Sequence, residues 1–148
     1  MLGYEVDFGH MEVIKLITGS TLAEKTVGYV AVSVLLNNTD ELMTLLINAF
    51  REELLKGDEL GKCLALSCVA NLGGMALSEA LGPIVQNLLL DRTSSSMIRK
   101  KSSLCLLRLY RSNPDMMVAS GSLFVYIFKW MENEWDWCGG IGVVGLVM

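Results

Sequence analysis

Residues 27–38 read VGYVAVSVLLNN, residues 60–71 read LGKCLALSCVAN, and residues 98–109 read IRKKSSLCLLRL. Each is a dense run of apolar and small residues, free of proline and long enough for three helical turns. The first two are followed by a second helical stretch closing on leucines, FREELL at 50–55 and VQNLLL at 85–90. Their starts lie 33 and then 38 residues apart, close to the roughly 33 to 47 residues of two-helix repeat units. Gly28 and Gly61 fall at the same phase of the first two runs, where a missing side chain lets neighbouring helices approach. A helix that is apolar around its whole circumference has to be covered on both sides. The inner helices of a solenoid meet that condition, so a solenoid is favoured over a compact bundle.

Helical period continues on either side. Residues 8–18 place apolar side chains at 8, 11, 14 and 17, with Gly19 as a stop. The run 22–36 is closed by Asn37-Asn38. Residues 40–56 carry Leu42, Leu45, Leu46, Ala49, Phe50 and Leu54 on one broad face, with Thr39 as the cap and Gly57 as the terminator. Residues 60–72 end at Gly73-Gly74. Residues 77–90 contain Gly82-Pro83, which predicts a bend or a split. Residues 96–111 form a last helix with Ser94 to Ser96 as cap candidates. No segment alternates as a strand does, so the class is all-α.

The 148 residues are one domain's worth of chain, 52% hydrophobic with a mean hydropathy of +0.45. That is high for a domain facing water all round, and implies helices buried on two sides and apolar surface left for a partner. A net charge of −4 argues against nucleic acid as the main partner. No run reaches the roughly eighteen apolar residues of a membrane span, and MLGYEVDFGH lacks the regions of a signal peptide. An intracellular protein is the expectation. The cysteines, Cys63, Cys68, Cys105 and Cys138, form no CxxC pair, and the first three lie in apolar helical runs as small hydrophobes.

Catalytic motifs are missing from the sequence. Gly73-Gly74 lacks the lysine and preceding strand of a phosphate loop. His10 opens an early helix away from any cysteine in the sequence, and Glu52-Glu53 and Asp58-Glu59 border a helix end where solvated carboxylates are ordinary. No enzyme activity, cofactor or metal is expected. The best binding candidate is the last helix: at 100° per residue Lys100, Lys101, Arg108 and Arg111 share an arc of about 100°, while Arg99 lies apart. Such a stripe can meet anionic lipid, at about 1 kcal/mol per basic residue. The plainer reading is a solvated outer face, with Leu107, Leu109 and Tyr110 packed inward. Nucleic acid is disfavoured because no aromatic platform interleaves with the cations. The tail FVYIFKWMENEWDW at 124–137 combines aromatics with Glu132, Glu134 and Asp136, which anionic lipid would repel.

Four stretches together resemble the N-terminal trunk of the large adaptin subunits of clathrin adaptor complexes: LGYEVDFGHMEVIKLITG at 2–19, EKTVGYVAVSVLLNN at 24–38, LALSCVANLG at 64–73 and LCLLRLYRSNPDMM at 104–117. DFGHME and CLLRLYR are similar to the alpha type of the plasma-membrane complex, whereas IRKKSSLC leans toward the gamma type. The similarity runs from Leu2 to about Met117 in one register, and residues 118–138 diverge from it. The resemblance implies that residues 1–148 are a single fragment of a trunk domain. It implies an alpha-solenoid of HEAT/armadillo-like helical pairs forming an ARM-type superhelix. It further implies a non-catalytic scaffold in endocytosis and vesicle-mediated protein transport. Its partners would be the small, medium and second large subunits, with no small-molecule substrate. Its place would be cytoplasmic, peripheral on the cytosolic face of membranes at clathrin-coated pits. The alternatives are a helical-repeat module of another transport protein, such as a gamma-type adaptin or nuclear-import receptor, and a peripheral anionic-lipid-binding helical domain. Uncapped solenoid ends also predict poor solubility in isolation.

Overall fold

The computed structural model describes residues 9–35 and 40–114. Expectations that fall on Asn37, Asn38, Thr39, the segment 118–138 and Cys138 lie outside the described residues. The chain divides into two units, Met1–Met116 and Met117–Met148, and every described element belongs to the first. In order these are α1 (His10–Ile17), α2 (Leu22–Leu35), α3 (Asp40–Lys56), α4 (Glu59–Leu72), α5 (Met75–Leu90) and α6 (Ser96–Ser112). No strand occurs among the described residues, and each expected helix is present to within two residues at its described ends.

Local chemistry explains where the helices begin. Thr21 and Glu24 form a reciprocal cap on α2: Glu24 N–H donates to Thr21 Oγ1 at 3.3 Å, and Thr21 N–H donates to Glu24 Oε2 at 3.2 Å. Ser95 caps α6 by accepting from Ile98 N–H at 3.3 Å, and its own hydroxyl donates to Glu59 Oε1 at the start of α4. Between α4 and α5 the chain reverses through Gly73 and Gly74, whose φ angles of 61° and 103° lie where side-chain-bearing residues are strained. Of the bend or split expected at Gly82-Pro83, the split does not occur: α5 runs as one helix through Pro83, and it starts two residues earlier than expected, at Met75. Pro83 and Glu79 are both on the exposed side, so the carbonyl that loses its helical donor can turn to water.

The helices form two layers. One is α2, α4 and α6 side by side; the other is α1, α3 and α5; the layers meet through the pairs α1–α2, α3–α4 and α5–α6. That is the stacked-pair arrangement of a solenoid. The pairs are phased one helix earlier than the leucine runs suggested, since across the layers each dense helix packs on the helix before it rather than on the one after it. The register differs too. α2, α4 and α6 start at Leu22, Glu59 and Ser96, 37 residues apart in turn. In this register Gly28, Ala65 and Ser102 are equivalent and buried, as are Tyr29, Leu66 and Ser103, and Val32, Val69 and Leu106. The spacing of 33 read from composition is this one slipped by about one helical turn, which leaves the same face pointing the same way.

Gly28 and Gly61 are therefore not equivalent, although both make room. A Cβ at Gly28 would stand 2.9 Å from Ile17 N and 3.1 Å from the Leu16 carbonyl carbon, so α1 and α2 touch backbone to backbone there. A Cβ at Gly61 would collide with the Glu53 carboxylate instead. The core runs between the layers, with Phe50 of α3 stacked on Tyr29 of α2 at 5.9 Å between ring centroids. α4 buries Gly61, Cys63, Ala65, Leu66, Cys68 and Val69, spread around most of its circumference, as an inner helix must. α5 presents the single stripe Leu77, Leu81, Val85 and Leu89.

Candidate functional site

The four basic residues singled out on α6 do not share one environment. Arg108 and Arg111 are exposed, and Lys100 and Lys101 are half-buried. Lys101 turns toward α4, donating from Nζ to Ser67 Oγ at 2.6 Å. Its charge also favours the Cys63 thiolate, partly offsetting the burial that pushes that thiol up. Arg108 leans over the α4–α5 turn, where a Cβ on Gly73 would lie 3.6 Å from its Nε. Of the residues expected inward, Leu109 is buried but Leu107 and Tyr110 are only half-buried; Leu106 takes the other core position. Two exposed apolar side chains, Met97 at 53% and Leu104 at 51%, fall inside the basic arc. Hydropathy along the helix could not separate them from core leucines, because both kinds recur every three or four residues.

Glu53, read from the sequence as one of the solvated carboxylates at a helix end, is instead buried and belongs to a second polar cluster. Glu53 of α3 accepts from Lys25 Nζ of α2 at 2.8 and 3.0 Å, and the side chains are only 10% and 19% exposed. The pair lines a cleft of about 250 Å³ with Ile17, Thr18, Ala49, Glu52, Lys56 and Gly57. Gly57 and Gly61 leave the space the carboxylate fills, which places it against the first turn of α4, where a helix N-terminus favours negative charge. This bridge joins α2 to α3, two helices with little direct packing between them. It acts as a strut between successive repeats rather than a reactive pair, since both groups satisfy each other. The only advance signal was the isolated pair of small residues, Gly57 and Gly61, after a Glu.

The groups considered for nucleophilic chemistry are dispersed. His10 is half-buried at the start of α1, while Cys63 and Cys68 sit in α4 and Cys105 in α6. Burial pushes the Cys68 and Cys105 thiols up to about 12, so both are protonated at neutral pH and poor nucleophiles. Cys68 Sγ instead donates to the Tyr29 carbonyl of α2 at 3.4 Å. Among the described residues no three His, Cys, Asp or Glu side chains converge as metal ligands, and no helix is long and apolar enough to cross a membrane.

The chain matches the family model described as "Adaptin N terminal region" over residues 1–124. It is 46% identical over 121 residues to the protein named AP-2 complex subunit alpha-1 of Arabidopsis thaliana, covering 82% of this chain and 12% of that one. To AP-2 complex subunit alpha of Schizosaccharomyces pombe it is 44% identical over 117 residues, 79% of this chain and 13% of the relative. AP-1 complex subunit gamma-2 of Arabidopsis thaliana is more distant, 35% identical over 116 residues, 78% and 13% of the two chains. The chain thus spans about an eighth of the length of these relatives. With the stacked helix pairs, these matches establish that the chain belongs to the adaptin family, as a stretch of its N-terminal region nearer to the alpha than to the gamma subunits.

Proposed function

We propose that the chain serves as a scaffold segment of an alpha-type adaptin, within an adaptor complex that acts in clathrin-mediated endocytosis and vesicle-mediated protein transport. The observation that carries this reading is the conjunction of a two-layer repeat in one 37-residue register with 46% identity to an AP-2 alpha subunit. A gamma-type assignment has less support, at 35% identity. The role is mechanical: the stacked helix pairs hold a surface in place, and no covalent chemistry is assigned to any side chain. Partners are the small, medium and second large subunits, with neither nucleic acid nor a small-molecule substrate. The segment sits in the cytoplasm, peripheral to the membrane face where the complex assembles. Co-expression with tagged small and medium subunits tests this. Retention of the chain on the tagged subunits through size exclusion is expected, and loss from both would refute the reading.

A further inference from the structure

The 37-residue register makes a statement about the surface as well as the core. Its outward positions on α2 are Ala23, Val27, Val30 and Val34, of which the valines are 60%, 59% and 48% exposed. The equivalent row on α4 is Leu60, Leu64, Ser67 and Asn71, with Leu60 53% exposed. On α6 the row becomes Met97, Lys101, Leu104 and Arg108. Because the three helices lie side by side in one layer, equivalent positions form one face, and the Lys101–Ser67 hydrogen bond stitches two of its rows together. No carboxylate occupies any of the twelve positions. The face is uncharged over α2 and α4 and cationic only over α6. Each row runs about 17 Å along its helix, and three rows at roughly 9 Å spacing give a face about 25 Å wide. That is a substantial part of the roughly 800 Å² that one partner contributes to a stable protein interface.

We infer that this face docks a protein whose contact surface is apolar opposite α2 and α4 and carries carboxylates opposite α6. The inference rests on the adaptor reading, which makes the occupant another subunit of the assembly. Charge complementarity selects that chemistry: a neutral apolar surface would leave Arg108 facing dry contact without a counter-ion, and an acidic surface throughout would be desolvated against the valines. A protein fits better than a lipid surface for two reasons. Cations are confined to one of three rows, and one of them, Lys101, is half-buried and engaged with Ser67. The valine row is short and β-branched, suited to close packing against a rigid surface rather than insertion among acyl chains.

The test uses the whole chain with recombinant small and medium adaptor subunits, measuring affinity for each. Val30→Glu and Leu104→Glu, in the middle of the face, are expected to weaken binding at least tenfold, the scale of a truncated interface anchor. Arg108→Glu is expected to weaken it several-fold at low salt, with the difference closing at high salt. Leu55→Glu, 59% exposed on α3 in the other layer, serves as the control and should bind as the unaltered chain does. Matching thermal unfolding of all four variants excludes misfolding as the cause. If the unaltered chain binds neither subunit, the adaptor reading itself falls. If it binds and the face variants bind equally well, or Leu55→Glu loses as much, only the docking face is wrong. If Arg108→Glu leaves subunit binding unchanged yet abolishes flotation with phosphatidylserine and phosphoinositide vesicles, the face is a lipid surface and the proposal is overturned.

Discussion

Replacing Lys25 with Met should destabilise the fold out of proportion to one contact, because it strands a buried carboxylate. At 2.8 Å and an effective dielectric of about 20, the attraction within the pair is about 6 kcal/mol. Taking both ions out of water costs several kcal/mol each, so the intact pair contributes little net stability. Lys25→Met removes the attraction and leaves the desolvation of Glu53 in place. Breaking a buried pair typically costs about 3–5 kcal/mol. Water reaches these side chains, at 19% and 10% exposure, and the first turn of α4 returns about 0.3–1 kcal/mol to the lone carboxylate. The expected cost is therefore about 2–4 kcal/mol. For a folded region of roughly 100 residues that lowers Tm by about 8–16 °C, readable by far-UV circular dichroism on the whole chain at neutral pH. The double variant Lys25→Met/Glu53→Leu should recover most of the loss, since an apolar pair needs no counter-charge. A single-variant cost below about 0.5 kcal/mol, the range of an exposed pair, would refute the argument that the carboxylate is held dry.

Gly28→Ala should cost about 1–3 kcal/mol, because its Cβ would meet α1 backbone at 2.9 Å and backbone cannot rotate away; urea unfolding measures it. Ser95→Ala removes the α6 cap and the bond to Glu59, with an expected loss of about 1 kcal/mol in the same assay. Cys68 and Cys105 should resist an alkylating reagent at mild alkaline pH in the native chain and react at once in denaturant; equal rates in both would show that the thiols are not buried. Stability should also fall as pH rises from about 9 toward 12. Native thiols pushed up to about 12 keep their protons while unfolded thiols, at 9.0, lose them, so the unfolded state binds fewer protons and gains. A pH-independent urea midpoint across that window would contradict this sign.

Helix number, type and most boundaries were legible because apolar period, caps and glycine stops act within a few residues of one another. The glycine at position 28 was readable as a place of close approach for the same reason. The register was not, since a slip of one turn conserves the face a helix presents, and 33 and 37 residues are indistinguishable to composition. Nor was the split of α5 decided locally: the disruption expected at Pro83 depends on whether the freed carbonyl meets water, which the neighbouring helices determine.

The candidate surface divides the same way. Sequence alone identified α6 as the cationic helix, and the arc of Lys100, Lys101, Arg108 and Arg111 follows from spacing at 100° per residue. It could not tell that Lys101 is engaged with Ser67, or that Met97 and Leu104 stay exposed while Leu106 and Leu109 are buried. Which leucine faces the core is fixed by the helix that lies across it, not by the leucine. The chain by itself thus determined an all-α repeat scaffold with a basic helix and no sequence signature of catalysis. Only tertiary packing decided how repeats are phased, why Glu53 needs Lys25, and which residues remain to meet a partner, because those outcomes depend on contacts between residues more than twenty positions apart.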